Sequence, residues 1–171
     1  AALYPREYLL GFPYNSIFAY SAAMVDSSNS YIYSIWGMVG YCNQAPECSP
    51  KLSYSTFAAL TNLLDGAKYD GRVETGTTSL YALRFRRPDG SNIYALWNVR
   101  GERKVTLTVT GIPQVFDALQ RPVPLAIFGD GKMQVLTLSE LPTYLIGTID
   151  ALQAGANVPQ ALPSRTLIGK L

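Results

Sequence analysis

Few residues of this chain could carry out chemistry near neutral pH. Histidine is absent from the 171 residues, so the side chain most often used as a general base is missing. Twelve carboxylates are present, but no two of them form an obvious acid and base pair in the sequence. The residues alone therefore predict no catalytic group, and an assignment of function has to come from the order of the structural elements.

The two cysteines are the other candidates for chemistry. Cys42 and Cys48 lie six positions apart in a loop that contains Pro46. This spacing favours a local disulfide that closes a small ring, which is typical of a secreted or extracytoplasmic protein. A metal site is a weaker alternative because it would need two further ligands, and a redox pair is weaker still because the Cys-x-x-Cys spacing is absent. We expect no metal and no cofactor.

Composition and charge exclude several classes of protein. The chain carries 14 basic and 12 acidic residues, a net charge of +2, and has no basic stripe that could neutralise phosphates, so we expect no nucleic-acid partner. Cations do concentrate in one stretch, which we interpret as a solvated sheet face; they are Arg84, Arg86, Arg87, Arg100, Arg103 and Lys104. No run of about 18 apolar residues and no leader pattern occurs, so neither a membrane span nor a signal peptide is expected.

The strongest local pattern predicts a helix over residues 49–69. Ser49 can cap its amino end, Pro50 suits the first helical position, and Gly66 suits a left-handed terminating residue. Apolar side chains recur at helical spacing and form one stripe, namely Phe57, Leu60, Leu63 and Leu64. Such a helix needs a sheet to cover.

Two shorter patterns precede this helix. Residues 4–10 have helical spacing, with Pro5 tolerated in the first turn, and a turn is expected at residues 11–15. The apolar run at 16–21 predicts a buried strand against which the long helix could pack.

Residues 75–147 have the pattern of short strands. Val105, Leu107 and Val109 alternate with threonines, as in a half-buried strand, and tight turns are expected at 87–91 and 129–132. Seven short strands indicate an antiparallel β-sandwich. Residues 148–171 lack strong periodicity and are expected to form a linker or tail. The predicted strands cover residues 80–86, 93–98, 105–110, 114–117, 125–128, 134–138 and 144–146.

The order of these elements resembles the C-terminal part of a clan A glycoside hydrolase. Residues 17–20, 36–40, 50–54 and 63–67 resemble the last β/α unit of its (β/α)8 barrel. The resemblance continues into the C-terminal sandwich of such enzymes at residues 93–97, 115–125 and 137–145. It implies an α+β fragment: the final β/α unit of a TIM-type barrel over residues 1–74, followed by an antiparallel β-sandwich accessory domain over 75–147.

The resemblance also implies where chemistry would lie. In this family the acid/base glutamate follows the fourth barrel strand and the nucleophilic glutamate ends the seventh, so both would lie upstream of this chain. We therefore assign no catalytic residue. The loop after Tyr20 would face the sugar, and residues there or nearby could stack on or hydrogen-bond a carbohydrate: Tyr20, Asp26, Asn29, Tyr31 and Trp36. The plainer interpretation of Tyr20 and Trp36 is core packing, and that of residues 26–30 is a polar loop.

Three hypotheses follow from these patterns. The first is the C-terminal portion of a secreted glycoside hydrolase that acts on poly- or oligosaccharide and pairs with the remaining N-terminal barrel. The second is a carbohydrate-binding or adhesive sandwich module, which an exposed row of aromatic side chains would favour and burial of Tyr94 and Trp97 would disfavour. The third is a structural or assembly component whose open sheet edges pair with other chains.

Overall fold

The computed structural model describes residues 3–14, 50–128 and 132–158. Two α-helices, α1 (Leu3–Gly11) and α2 (Leu52–Leu63), and a 3₁₀ turn at Phe12–Tyr14 precede the strands. No helix in these ranges is long and apolar enough to cross a membrane. The strands are β1 (Lys68–Arg72), β2 (Leu80–Arg86), β3 (Asn92–Asn98), β4 (Glu102–Phe116), β5 (Ala126–Phe128), β6 (Met133–Leu138) and β7 (Thr143–Val158).

All seven strands belong to one antiparallel sheet with the order β1-β2-β3-β7-β4-β6-β5. The sheet curls, because the backbone N–H of Asn98 at the end of β3 donates to the carbonyl of Ser139 just after β6, at 2.8 Å. Two strands, β7 and β4, separate β3 from β6 in the sheet, so a flat sheet could not form this bond. The described chain is therefore mostly antiparallel sheet with few helices, an α+β arrangement.

Two hydrophobic clusters lie on opposite faces of the sheet. The side chains alternate along β2 and β3: Leu96 joins the cluster inside the curl, and Trp97 joins the cluster that faces the helices. We call these the inner cluster and the helix-side cluster. The helix-side cluster includes Leu9 of α1 and Leu60 of α2. Because β3 is covered on both faces, every residue from 93 to 98 is buried, whereas a strand with one wet face would alternate.

Helix α2 confirms the apolar stripe but is shorter than predicted. Leu60, Leu63 and Leu64 are buried and Phe57 packs beside them. The amino-terminal boundary is wrong in our prediction, because the N-cap is Lys51, in an extended conformation and without a side-chain capping bond. The carboxyl end is also earlier: Gly66 is left-handed with φ +65°, as expected, but the chain has already left the helix there.

The strand pattern is confirmed in most places and wrong in three. Strand β1 lies partly inside the predicted helix, because Lys68 and Tyr69 pair with β2. The predicted strands 105–110 and 114–117 are one strand, β4, interrupted by a change of register between Thr110 and Gln114. Strand β7 runs to Val158, so residues 148–158 are strand where we expected a tail.

One glycine of β7 lies opposite this change of register in β4. Gly147 has φ +149°, and an added Cβ would lie 3.1 Å from Cβ and 3.3 Å from Cα of Pro113. Gly111, in the same irregular segment, has φ +77° and nothing within 4 Å of an added Cβ. Both glycines have a positive φ, but of the two only Gly147 would crowd a neighbour if a Cβ were added.

We expect Gly147→Ala to lower the free energy of unfolding by about 2–3 kcal/mol, since backbone strain of this kind costs 1–3 kcal/mol and Pro113 must also shift. The control Gly111→Ala should cost about 1 kcal/mol, the penalty for the left-handed conformation alone. Urea unfolding monitored by tryptophan fluorescence measures both. Equal losses for the two variants would contradict the proposed close approach to Pro113.

Candidate functional site

The predicted sugar-contacting residues lie outside the described residues. Tyr20, Asp26, Asn29, Tyr31 and Trp36 all fall in the stretch 15–49, as do Cys42 and Cys48, the predicted disulfide. These assignments therefore stay predictions. The described part of the chain contains three other candidate sites: the aromatic residues of the sheet, the arginines of β2 and a cleft beside α2.

The aromatic residues of the sheet form no exposed binding face in the described ranges. Tyr94 and Trp97 are each 1% exposed, which counts against the carbohydrate-binding module. The Trp97 ring stacks on Tyr81 with centroids 4.8 Å apart and planes 8° apart, and the guanidinium of Arg72 lies 4.6 Å from the Tyr81 centroid. The Trp97 ring and the Arg72 guanidinium thus cover the Tyr81 ring, on which a sugar would have to stack. Trp97 is a core residue that faces the helices.

The large exposed aromatic side chains among the described residues lie in the helical segments instead. Phe12 and Tyr54 are 38% and 41% exposed, and Tyr14 is 80% exposed. None of these three belongs to a strand.

The arginines of β2 are bound to an acidic neighbour on the edge strand. Arg84 Nε lies 2.9 Å and Arg86 Nη2 lies 3.8 Å from the same Oδ2 of Asp70 in β1. Both arginine side chains are about half exposed. This is the solvated face that the alternation of Arg84 and Arg86 predicted, and its ion pairs contribute little to stability because water screens them.

A cleft of about 530 Å³ lies between the start of α2 and the rim of the sheet. Its volume is in the range of small-molecule sites. Leu52 of α2 forms one side, and the turn at residues 117–121 and the chain after β6 form others. The lining residues are Leu52, Asp117, Ala118, Leu119, Arg121, Val123, Pro124, Val135, Leu136, Thr137, Ser139, Leu141, Pro142 and Thr143. No aromatic side chain is among them, so the described lining of the cleft offers no ring for stacking a sugar.

The charged pair of the cleft is built into the turn. Oδ1 of Asp117 accepts the backbone N–H groups of Leu119 and Arg121, both at 2.9 Å. Oδ2 of Asp117 accepts a hydrogen bond from Nε of Arg121 at 2.7 Å and lies 2.7 Å from its Nη2, so two guanidinium nitrogens share one carboxylate oxygen. Burial opposes ionisation of Asp117, but the hydrogen bonds from Arg121 and Leu119 outweigh it and lower the pKa of the carboxyl.

This arrangement stabilises the turn and does not prepare Asp117 for acid catalysis. A glycosidase acid has to keep its proton near neutral pH, which requires a raised pKa. The pKa of Asp89 is also lowered, by hydrogen bonds from the Ser91 side chain and backbone. Within the described ranges no group of three or more potential metal ligands comes together either.

The turn at residues 117–121 was not predicted from the sequence as a structural site. A signal was present, because aspartate at the first position of a turn commonly binds backbone N–H groups two residues on. The ion pair to Arg121 depends on the loop geometry, and the nearness of Leu52 depends on how α2 packs.

Glycoside hydrolases are among the solved structures to which this chain is similar. The chain is similar to a family 39 glycoside hydrolase from the gut symbiont Bacteroides cellulosilyticus WH2, with a TM-score of 0.67 and 22% identity over 86% of this chain and 30% of that one. It is also similar to the catalytic domain of GH30 xylanase C from Talaromyces cellulolyticus, with a TM-score of 0.50 and 13% identity over 68% of this chain and 28% of that one.

These likenesses describe the fold. This chain spans less than a third of the length of either structure. No family model and no curated protein matches the sequence. The glycoside hydrolase neighbours agree with the resemblance drawn from the sequence.

Asp117→Asn should weaken the turn by about 1–2 kcal/mol at pH 7, because the hydrogen bonds from charged Arg121 lose an ionised acceptor. The folded pKa of Asp117 is lowered, so its contribution is present above the ordinary carboxyl value of 3.8 and is lost as pH falls through the lower folded pKa. The difference between wild type and variant should therefore shrink below about pH 4. Urea unfolding between pH 7 and pH 3 measures it.

Asp65→Asn is the matched control, since Asp65 is exposed beyond the end of α2. It should change stability by less than about 0.5 kcal/mol at every pH. A loss at Asp117→Asn that stays constant from pH 7 to pH 3 would contradict the lowered pKa.

Proposed function

We propose that this chain is the C-terminal portion of a retaining glycoside hydrolase that acts on poly- or oligosaccharide. The part of the chain before β1 would be the last β/α unit of a (β/α)8 barrel, and the sheet, which runs from Lys68 to Val158, would be the accessory sandwich. The observation that carries the proposal is the fold likeness to a family 39 glycoside hydrolase over 86% of this chain. The likeness arises at 22% identity, so it supports the architecture more directly than the activity.

The packing of the helices supports a role in closing the barrel. Leu9 of α1 and Leu60 and Leu63 of α2 are 0%, 4% and 6% exposed in the helix-side cluster. Burial of each leucine stabilises the contact by about 1.5–3 kcal/mol. The accessory sheet would thus hold the last barrel helices in place through a hydrophobic contact, and the described residues would support the enzyme without performing its chemistry.

The catalytic glutamates would then lie outside this chain, on the ends of the fourth and seventh barrel strands. Retaining enzymes hold the two carboxyl groups about 5 Å apart, one as acid and base and one as nucleophile. In support, Asp89 and Asp117 are tied to serine and arginine partners that lower the pKa of each carboxyl. The loop after Tyr20 would contribute Tyr20, Asp26, Asn29, Tyr31 and Trp36 to the rim of the sugar site.

A mechanism-based 2-fluoro glycoside tests this arrangement in the native protein. A retaining enzyme should form a stable glycosyl ester with the reagent, and peptide mass spectrometry should place the label on a glutamate outside residues 1–171. The 171-residue chain alone should acquire no label and show no turnover of aryl glycosides. Unreacted native protein is the reference for peptide assignment.

Two results would overturn the proposal. A label on any residue of this chain would place the nucleophile here. A native polypeptide of the mass of this chain, 18.7 kDa, that hydrolyses glycosides unaided would show that no further barrel is needed.

We also propose that the protein is extracytoplasmic, on the basis of the spacing of Cys42 and Cys48. The native protein should carry a disulfide between them, and reduction should add about 2 Da to the proteolytic peptide that spans residues 42–48. Alkylation without prior reduction should modify neither cysteine. Full alkylation of both thiols in native protein would contradict the disulfide and remove the support for this location.

A further inference from the structure

The turn at residues 117–121 contains a residue in an unfavourable backbone conformation. Gln120 has φ +61°, and no other non-glycine residue in the described ranges has positive φ. Asp117 N–H donates to the carbonyl of Arg121, and Gln120 N–H donates to the carbonyl of Asp117, each at 2.9 Å. These bonds define a three-residue hairpin loop, which a left-handed residue normally completes. Glycine adopts that conformation freely and asparagine tolerates it, whereas glutamine adopts it at a cost.

The side chain of Gln120 makes a contact that the favoured residues could not make. Its Oε1 accepts a hydrogen bond of 2.8 Å from Nδ2 of Asn62, on the exposed side of α2. The two residues are 58 positions apart in sequence, so the bond joins separate elements. Glycine has no side chain, and asparagine is one methylene too short to keep this geometry. An unfavourable conformation that persists in a structure indicates a constraint from its surroundings.

We propose that Gln120 is a positioning residue, a latch that holds α2 against the turn and thereby sets the width of the adjacent cleft. Leu52, the first residue of α2, lines the cleft, and Asn62 lies about 15 Å further along the same helix. The opposite wall includes Asp117 and Arg121 of the latched turn. Both ends of α2 therefore meet the same part of the molecule. The hydrogen bond between Asn62 and Gln120 therefore opposes movement of the helix away from that wall.

The cost of the Gln120 backbone conformation allows this latch to be distinguished from an ordinary surface contact by substitution. Gln120→Gly removes the side chain and also relieves the backbone, so the hairpin itself should be as stable as before or more stable. Asn62→Ala removes the other partner and raises the intrinsic helix propensity of α2. Both substitutions favour their own local structure. Any loosening of α2 in these variants must therefore come from the lost contact between the two elements.

Hydrogen exchange of the 171-residue chain, followed by mass spectrometry, tests the latch. Peptides from α2 should exchange about 3- to 10-fold faster in Gln120→Gly and in Asn62→Ala, the factor expected for one lost hydrogen bond. The double variant should exchange no faster than either single variant, because both remove the same bond. Peptides from β2 and β3 should keep their wild-type rates and serve as the internal reference.

Gln120→Asn distinguishes side-chain reach from polarity. Asparagine keeps the amide and tolerates positive φ, so acceleration of α2 exchange to the level of Gln120→Gly would support the latch. Unchanged α2 exchange in Gln120→Gly, or independent additive effects of the two single substitutions, would overturn it. This test uses no substrate, so its outcome does not depend on the proposed glycoside hydrolase function.

Discussion

Residues 143–146 of β7 pair with β3 on one side, and residues 144–146 pair with the end of β4 on the other. The same strand then continues past Gly147 along the first half of β4 to Val158. It therefore belongs to both halves of the curled sheet, and the position of each half is fixed by its pairing with β7. Gly147 lies between these two paired segments, where a Cβ added to it would lie only 3.1 Å from Cβ of Pro113.

The same strand distributes side chains between the two clusters. Neighbours Tyr144 and Leu145 point to opposite faces, Tyr144 into the helix-side cluster and Leu145 into the inner cluster. Both are completely buried. The Tyr144 hydroxyl has no hydrogen-bond partner among the described residues, and burial raises the pKa of the phenol. The Tyr144 ring thus stabilises the contact with the helices because its apolar surface is buried there. Its hydroxyl forms no hydrogen bond with a described residue.

Polar contacts close the curl at the opposite end of β7. Nδ2 of Asn98 donates to Oδ1 of Asn157 at 2.6 Å and to the carbonyl of Gly101 at 3.2 Å. Nη1 of Arg103 donates to the carbonyl of Gly155 at 2.8 Å, and Nη2 donates to the Ser79 hydroxyl at 3.1 Å. Asn98 is completely buried, so loss of these partners would leave an unsatisfied polar group in the interior. The asparagine therefore specifies how the ends of β3, β4 and β7 meet.

Local patterns predicted the elements well where one physical signal dominates. The alternation of Val105, Leu107 and Val109 and the apolar stripe of α2 both correspond to buried faces. The misplaced boundaries arise where pairing with a distant strand decides the conformation. A polar residue such as Lys68 is compatible with the last turn of a helix. In the structure, however, Lys68 pairs with Arg86 of β2 in the sheet. Residues 148–158 have weak periodicity of their own and become a strand because residues 102–110 of β4 offer an edge to pair with.

The candidate site was harder to predict for the same reason. The turn at 117–121 has a recognisable first residue, but the cleft beside it exists only because α2 packs nearby, which no local pattern encodes. No role was predicted for Gln120, because glutamine has little propensity for the positive φ that it adopts in the structure. In a sequence whose local choices otherwise agree with the fold, such a contradiction marks a position under another constraint.

Gly147 and Gln120 both have positive φ and lie where separate elements join. Gly147 lies where β7 passes from one half of the sheet to the other, and Gln120 lies where the sheet meets α2. A binding or catalytic site would place strained residues beside groups that can engage a ligand, but the polar partners of Gln120 are other parts of the chain. The described residues thus use their unusual conformations to fix the relative positions of helices and sheet. The proposed supporting role in a glycoside hydrolase requires this property.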